Sequence, residues 1–258
     1  VTISEEEFTH LPASNEVHIW LTSLPELDEA QKNSCFQVLN DEERDRLSKF
    51  LVEPARLQFL VARALLRTCL TQYCGAPAPS WQFQSNAFGK PHISEPAEYR
   101  HIQFNISHTD GLVACAFAHS CLIGLDVENT GRNIEPLQLA EHVLAPPECA
   151  DLLGHESTAQ RARFYDYWTL KEAYVKARGL GLSLGLDSFW FQLEGEAPQI
   201  VFGPDSTDDP KQWHFAQFSP TESHKLALAV CMPDKNCRIK LKWVTPVVDP
   251  QQRAASFR

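Results

Sequence analysis

The chain has 258 residues, of which 43% are hydrophobic and 22% charged, and a formal net charge of −10. That size buries one large core or two modest ones, and the composition is that of an ordinary globular protein. The negative charge argues against general nucleic-acid binding, which needs a basic footprint, and no apolar run approaches the ~20 residues that span a bilayer, so neither nucleic acid nor membrane is an expected partner.

Val1 to His10 carries no basic and then apolar stretch of the secretory kind, so no secretory signal is visible there, and the expectation of a cytoplasmic protein comes from the cysteines. The cysteines at 35, 69, 74, 115, 121, 149, 231 and 237 include no C-x-x-C pair. Several sit in apolar runs, as Cys115 does in Val113–Phe117, and read as reduced core thiols.

In chain order, the alternation Val17–Leu21 predicts a strand. A break at Pro25–Asp28 precedes a helix to about Leu39. Asn40 followed by Asp41, Glu42 and Glu43 predicts a capped second helix to about Phe50. Pro54 suits the first turn of a long third helix, which ends near Tyr73 before Gly75. Strands follow at Trp81–Phe83, Ile102–Asn105 and Val113–Phe117.

The second half repeats that grammar, with a strand at Leu122–Glu128, helical segments at Pro136–Val143 and Pro146–Leu153, and a long helix from about Thr158 to Arg178. Gly179 stops that helix, and strands are expected at Phe189–Leu193, Gln199–Phe202, His214–Phe218, Lys225–Cys231 and Leu241–Val244. The expected fold is α+β: two similar halves, 1–119 and 120–245, in a pseudo-twofold arrangement with the site in the cleft between them. A mobile tail, 246–258, completes the expected division.

Chemistry concentrates in two segments. Asp126 and Glu128 stand two apart on a strand, so both carboxylates share a face. Glu172 and Lys176 stand four apart on a helix and also share a face. Taken singly these fit an exposed strand face and a solvated ion pair. Taken together, three carboxylates at apolar segments point to a hard cation.

Lys90, in Gly-Lys-Pro, sits on a rigid turn before a strand, where it is either plain surface or a phosphate contact. Ser107 and His108 close the strand that begins near Ile102, and both can hydrogen-bond phosphate oxygens. No Gly-x-Ser-x-Gly elbow supports a serine nucleophile. Arg56, Arg63 and Arg67 fall close to one stripe of the third helix, preceded by Arg44, Arg46 and Lys49. Interleaved acids fit a solvated amphipathic surface as well as a phosphate-binding wall. The remaining histidines, including His18, show no metal-ligand spacing and read as structural or surface residues.

The ordered set Gly-Lys-Pro (89–91), Phe-Asn-Ile-Ser-His (104–108), Gly-Leu-Asp-Val-Glu (124–128) and Trp-Thr-Leu-Lys-Glu-Ala-Tyr-Val-Lys-Ala (168–177), followed by Gly-Leu-Gly-Leu (179–182), resembles the Sfp-type 4′-phosphopantetheinyl transferases. Each motif alone is weak, but all in this order are specific, over about residues 15–245. The resemblance implies a monomeric enzyme that moves the 4′-phosphopantetheine arm of coenzyme A onto a serine of an apo acyl or peptidyl carrier protein. It implies Mg²⁺ on Asp126, Glu128 and Glu172, catalysis by Glu172 and Lys176, and nucleotide contacts from Arg46, Arg63, Lys90, Ser107 and His108. A non-catalytic module of the same fold, holding coenzyme A or a carrier domain, is the alternative. Ile134, Leu137, Leu139 and Val143 are candidates either for carrier docking or for core packing.

Overall fold

The computed structural model describes residues 8, 10–132, 135–204, 206–233 and 236–246. Ile134 and the tail from 247 onward lie outside the described residues. The elements are mixed α and β, and the chain divides into two compact units. The N unit holds residues up to 84, 91–120 and those from 238 on; the C unit holds 85–90 and 121–237.

In the N unit, β1 (Glu16–Ser23) leads to α1 (Glu29–Gln37), α2 (Asp41–Ser48) and the 22-residue α3 (Glu53–Cys74). Asn40 caps α2 with a reciprocal capping box to Glu43, and Gly75 ends α3 in the left-handed region at φ 74°. β2 (Gln82–Ser85) pairs with β3 (Pro91–Glu95), and β4 (Ile102–Thr109) with β5 (Leu112–His119). The four-stranded sheet of this unit contains β5 and β4 beside β1, and its remaining strand comes from the far end of the chain.

Helix α3 packs on that sheet through Val61, Leu65, Leu66, Cys69 and Leu70, which meet Trp20, Phe104 and Phe117. Arg67 is fully buried among them. Its guanidinium donates to Glu43 Oε2 (2.6 Å) and to the carbonyls of Ala78 (2.6 Å) and Trp81 (2.9 Å). Neither sequence-based reading of the arginine stripe anticipated a buried guanidinium. The acid that satisfies it sits one turn into α2, where a first-turn Glu looks like a helix-dipole residue.

A second buried polar group in this unit is His18, under the stacked ring of Phe8. The Trp20 indole donates to the Tyr73 hydroxyl (2.7 Å), which also shares a hydrogen bond with His18 Nδ1 (2.8 Å). Burial favours the neutral imidazole, whose Nε2 lies 3.7 Å from Glu16 Oε2.

In the C unit, β6 (Ile123–Asn129) precedes α4 (Pro136–Val143), α5 (Pro146–Gly154) and the 22-residue α6 (Ser157–Arg178), which Gly179 ends at φ 62°. β7 (Phe189–Gln192) and β8 (Gln199–Phe202) form a hairpin. β9 (Trp213–Thr221) and β10 (His224–Cys231) join β6 in an antiparallel sheet of order β6-β10-β9. β11 (Arg238–Trp243) then returns to the N unit, where it pairs parallel with β1 and completes the order β11-β1-β5-β4.

Helix α6 crosses the C-unit sheet, and its approach to β6 is set by Gly124. A Cβ at that position would stand 2.0 Å from the Ala173 carbonyl oxygen and 2.3 Å from the Ala177 nitrogen. Backbone meets backbone there, at two alanines of α6. On the other side of α6, Lys171 and Glu148 of α5 form a fully buried ion pair at 2.8 Å. Lys171 also donates to Leu186 O (2.6 Å) and Phe189 O (2.8 Å), and Glu148 accepts from the Ala145 (2.8 Å) and Phe191 (2.9 Å) amides. Among the described residues, no helix is long and apolar enough to cross a membrane.

Two outcomes follow from this packing. Gly124→Ala forces the sheet and α6 apart and should cost about 3 kcal/mol or more in urea unfolding; a near-native midpoint would contradict the close approach. Burial, against the opposing pull of Glu16, brings His18 down to about 4. The unfolded chain then binds the extra proton between that value and ~6.5, so stability falls as pH drops through this window, by on the order of 2 kcal/mol. His18→Gln should flatten that part of the stability profile, and an unchanged profile would exclude the buried neutral histidine.

Candidate active site

Gly124, Asp126 and Glu128 alternate onto one face of β6, and the Gly124 contact identifies that face as the one covered by α6. Two residues of strand advance about 6.6 Å, and four residues of helix about 6.0 Å. The residues of α6 that meet these two carboxylates, Lys176 and Trp168, stand eight residues or about 12 Å apart, so side-chain reach rather than backbone register closes the two pairs. Asp126 meets Lys176 (Nζ to Oδ1, 2.5 Å), and Glu128 meets Trp168 (Nε1 to Oε1, 3.1 Å). Glu172 stands between Trp168 and Lys176 on the same helix stripe.

The charges at this face act on one another. Burial pushes the Glu172 carboxyl above the usual carboxylate range, and the charge of Asp126 adds to the push. Lys176 opposes it, and Glu128 contributes in the same upward direction as Asp126. Glu128 is raised first by burial and then by Asp126, against the Trp168 hydrogen bond and Arg132. Arg132 reaches Glu128 Oε2 at 3.3 Å from an exposed position.

Three mutually repelling, partly desolvated carboxylates form an oxygen-only donor set of the kind that suits a hard divalent cation. Among the described residues, no three His, Cys, Asp or Glu side chains are already grouped as a metal centre. Lys176 holds one oxygen of Asp126, while Trp168 and Arg132 hold both oxygens of Glu128. The donor chemistry fits, and the carboxylates have internal cationic and N–H partners.

Lys90 belongs to the same unit. Its ammonium donates to Ile123 O (2.9 Å) and Ala177 O (2.8 Å), at the start of β6 and the last turn of α6. Burial brings its pKa down to about 8. Asn86 supports the turn, donating to Gly179 O (2.8 Å) and accepting from the amides of Phe88 and Lys90. Sequence reasoning missed this anchoring role, because a turn lysine carries no mark of which carbonyls it will meet.

The other expected nucleotide contacts lie in the N unit. Ser107 is buried and His108 exposed, so they face opposite sides of β4. The Arg63 guanidinium bonds Glu43 Oε1 (2.5 Å) and lies 4.7 Å over the Phe83 ring. Arg46 is exposed and lies 5.0 Å over Phe59. Of the apolar docking candidates, Leu137 is exposed at 41%, whereas Val143 joins the core of the C unit and Leu139 packs against it. Trp168 was not singled out as a site residue. Its signal was its place four residues before Glu172, with an N–H to donate.

Comparison with known proteins agrees over both units. Residues 122–231 match the model of the 4′-phosphopantetheinyl transferase superfamily, and residues 25–120 match that of the 4′-phosphopantetheinyl transferase N-terminal region. The 4′-phosphopantetheinyl transferase HetI of Nostoc sp. is 31% identical over 170 residues, covering 66% of this chain and 71% of that protein. The 4′-phosphopantetheinyl transferase Sfp of Bacillus subtilis is 28% identical over 208 residues, covering 81% and 89%. A mouse relative, L-aminoadipate-semialdehyde dehydrogenase-phosphopantetheinyl transferase, is 25% identical over 214 residues, covering 76% and 68%. Matched along both parts of its sequence, the chain belongs to the Sfp-type 4′-phosphopantetheinyl transferase family.

Proposed function

We propose that this protein, acting as a cytoplasmic monomer, transfers the 4′-phosphopantetheine arm of coenzyme A to a serine of an apo acyl or peptidyl carrier protein. The products are the holo carrier and adenosine 3′,5′-bisphosphate. The observation that carries the reading is the shared face of β6 and α6, which brings Asp126, Glu128, Glu172 and Lys176 together.

Asp126, Glu128 and Glu172 would hold Mg²⁺. When bound, the ion would offset the charge of the coenzyme A pyrophosphate. The carrier serine oxygen attacks the β-phosphorus, and the bond from that phosphorus to the bridging oxygen breaks. Glu172 accepts the serine proton. Lys176, part-buried beside Asp126, supplies the positive charge that receives the departing phosphate oxygen. Arg46, Arg63, Ser107 and His108 are proposed nucleotide contacts, and Lys90 serves both as a contact and as the anchor of its turn.

Incubation with coenzyme A, MgCl₂ and an apo carrier should add the phosphopantetheine arm, read as a mass gain on the carrier. No gain on fatty-acid, polyketide or nonribosomal-peptide carriers would overturn the assignment. Glu172→Gln should lower kcat by about 100-fold or more with an unchanged unfolding midpoint. Turnover close to that of the parent would remove Glu172 as the base.

A further inference from the structure

The Glu128 carboxylate is held by two donors of different character. Arg132 approaches Oε2 at 3.3 Å with a side chain that is 58% exposed, so its hold is weak and screened. Trp168 approaches Oε1 at 3.1 Å from within α6. Its indole stacks on Phe164, with ring centroids 6.2 Å apart and planes at 13°, and packs against the core cluster of the C unit. An indole has only two rotatable side-chain bonds, and this one is half-buried against its neighbours. The firmer of the two donors is therefore the tryptophan, one helical turn before Glu172.

We propose that Trp168 is a positioning residue of the acidic face. Its Nε1–H fixes the orientation of the Glu128 carboxylate, so that the oxygens of Glu128 are presented to a divalent cation together with those of Asp126 and Glu172. The proposal rests on the metal-binding reading given above. One donated hydrogen bond leaves lone pairs on both carboxylate oxygens, so orientation is gained without consuming the ligand. Partners of this kind typically change metal affinity by ~10–100-fold when removed. Phenylalanine at 168 retains a ring to stack on Phe164 and loses only the donor and the six-membered edge.

The test uses the full chain and Mn²⁺ as probe, with the unbound ion followed by its EPR signal, in the absence and presence of coenzyme A. Trp168→Phe should weaken Mn²⁺ binding about 10-fold while the melting temperature changes little. In a Glu128→Gln background the same substitution should have no further effect on Mn²⁺ affinity, because the group it positions is gone. Equal losses in both backgrounds, or no loss in either, would overturn the proposal. Absence of Mn²⁺ binding by the unsubstituted protein would overturn the metal reading as well. Binding that Trp168→Phe leaves unchanged would remove only the role of Trp168.

A second measurement does not depend on that variant folding. Among the six indole N–H signals of the ¹⁵N-labelled protein, one should move on addition of Mg²⁺ and stay put in Glu128→Gln. No indole shift on Mg²⁺ addition would count equally against the proposal.

Discussion

The site depends on a missing side chain. Because Gly124 carries no Cβ, β6 lies against the backbone of α6 at Ala173 and Ala177, closer than any other residue would permit. From that contact the carboxylates of β6 come within side-chain reach of α6. Asp126 and Glu128 stand about 6.6 Å apart along the strand and Trp168 and Lys176 about 12 Å apart along the helix, and the long side chains of α6 span the difference without a loop to adjust them. Carboxylates placed by two regular elements are held more narrowly than carboxylates on loops.

Rotation of α6 about its own axis is fixed from behind. Lys171 and Glu172 are consecutive residues, about 100° apart around the helix. With Lys171 tied to Glu148 and two carbonyls in a fully buried pair, Glu172 has little freedom of azimuth. A buried ion pair is weak evidence for stability, since desolvation offsets much of its attraction. Here every polar atom of the pair finds a partner, and the pair's contribution is orientation. The N unit uses the same device: Glu43 bridges Arg63 and Arg67 and locks α2 onto α3.

Much of the architecture was legible in local chemistry. Asn40, Pro54, Gly75 and Gly179 mark helix ends where the structure has them, and the i, i+2 and i, i+4 spacings placed the four acidic-face residues before any tertiary contact was known. Strand ends were less readable. β9 continues past Phe218 through Pro220, because an edge strand tolerates a missing N–H. Partner identity was not readable. Periodicity says which side of an element is apolar, but not that Arg67 will meet Glu43, that Lys90 will meet Ala177 O, or that β11 will pair parallel with β1. Those pairings join residues far apart in sequence and are decided by packing.

The Asn86–Lys90 turn has a bearing on how this chain can be divided. It is counted with the C unit, yet the residues on either side of it, up to Gln84 and from Pro91, are counted with the N unit. Its donors satisfy the carbonyls of Ile123, Ala177 and Gly179. A fragment beginning at Cys121 would carry the whole acidic face and still lack the groups that close the end of α6. The two halves of the gene are therefore not interchangeable cassettes, and a recombination or fission event that respects the structure has to keep this short turn with the later segment.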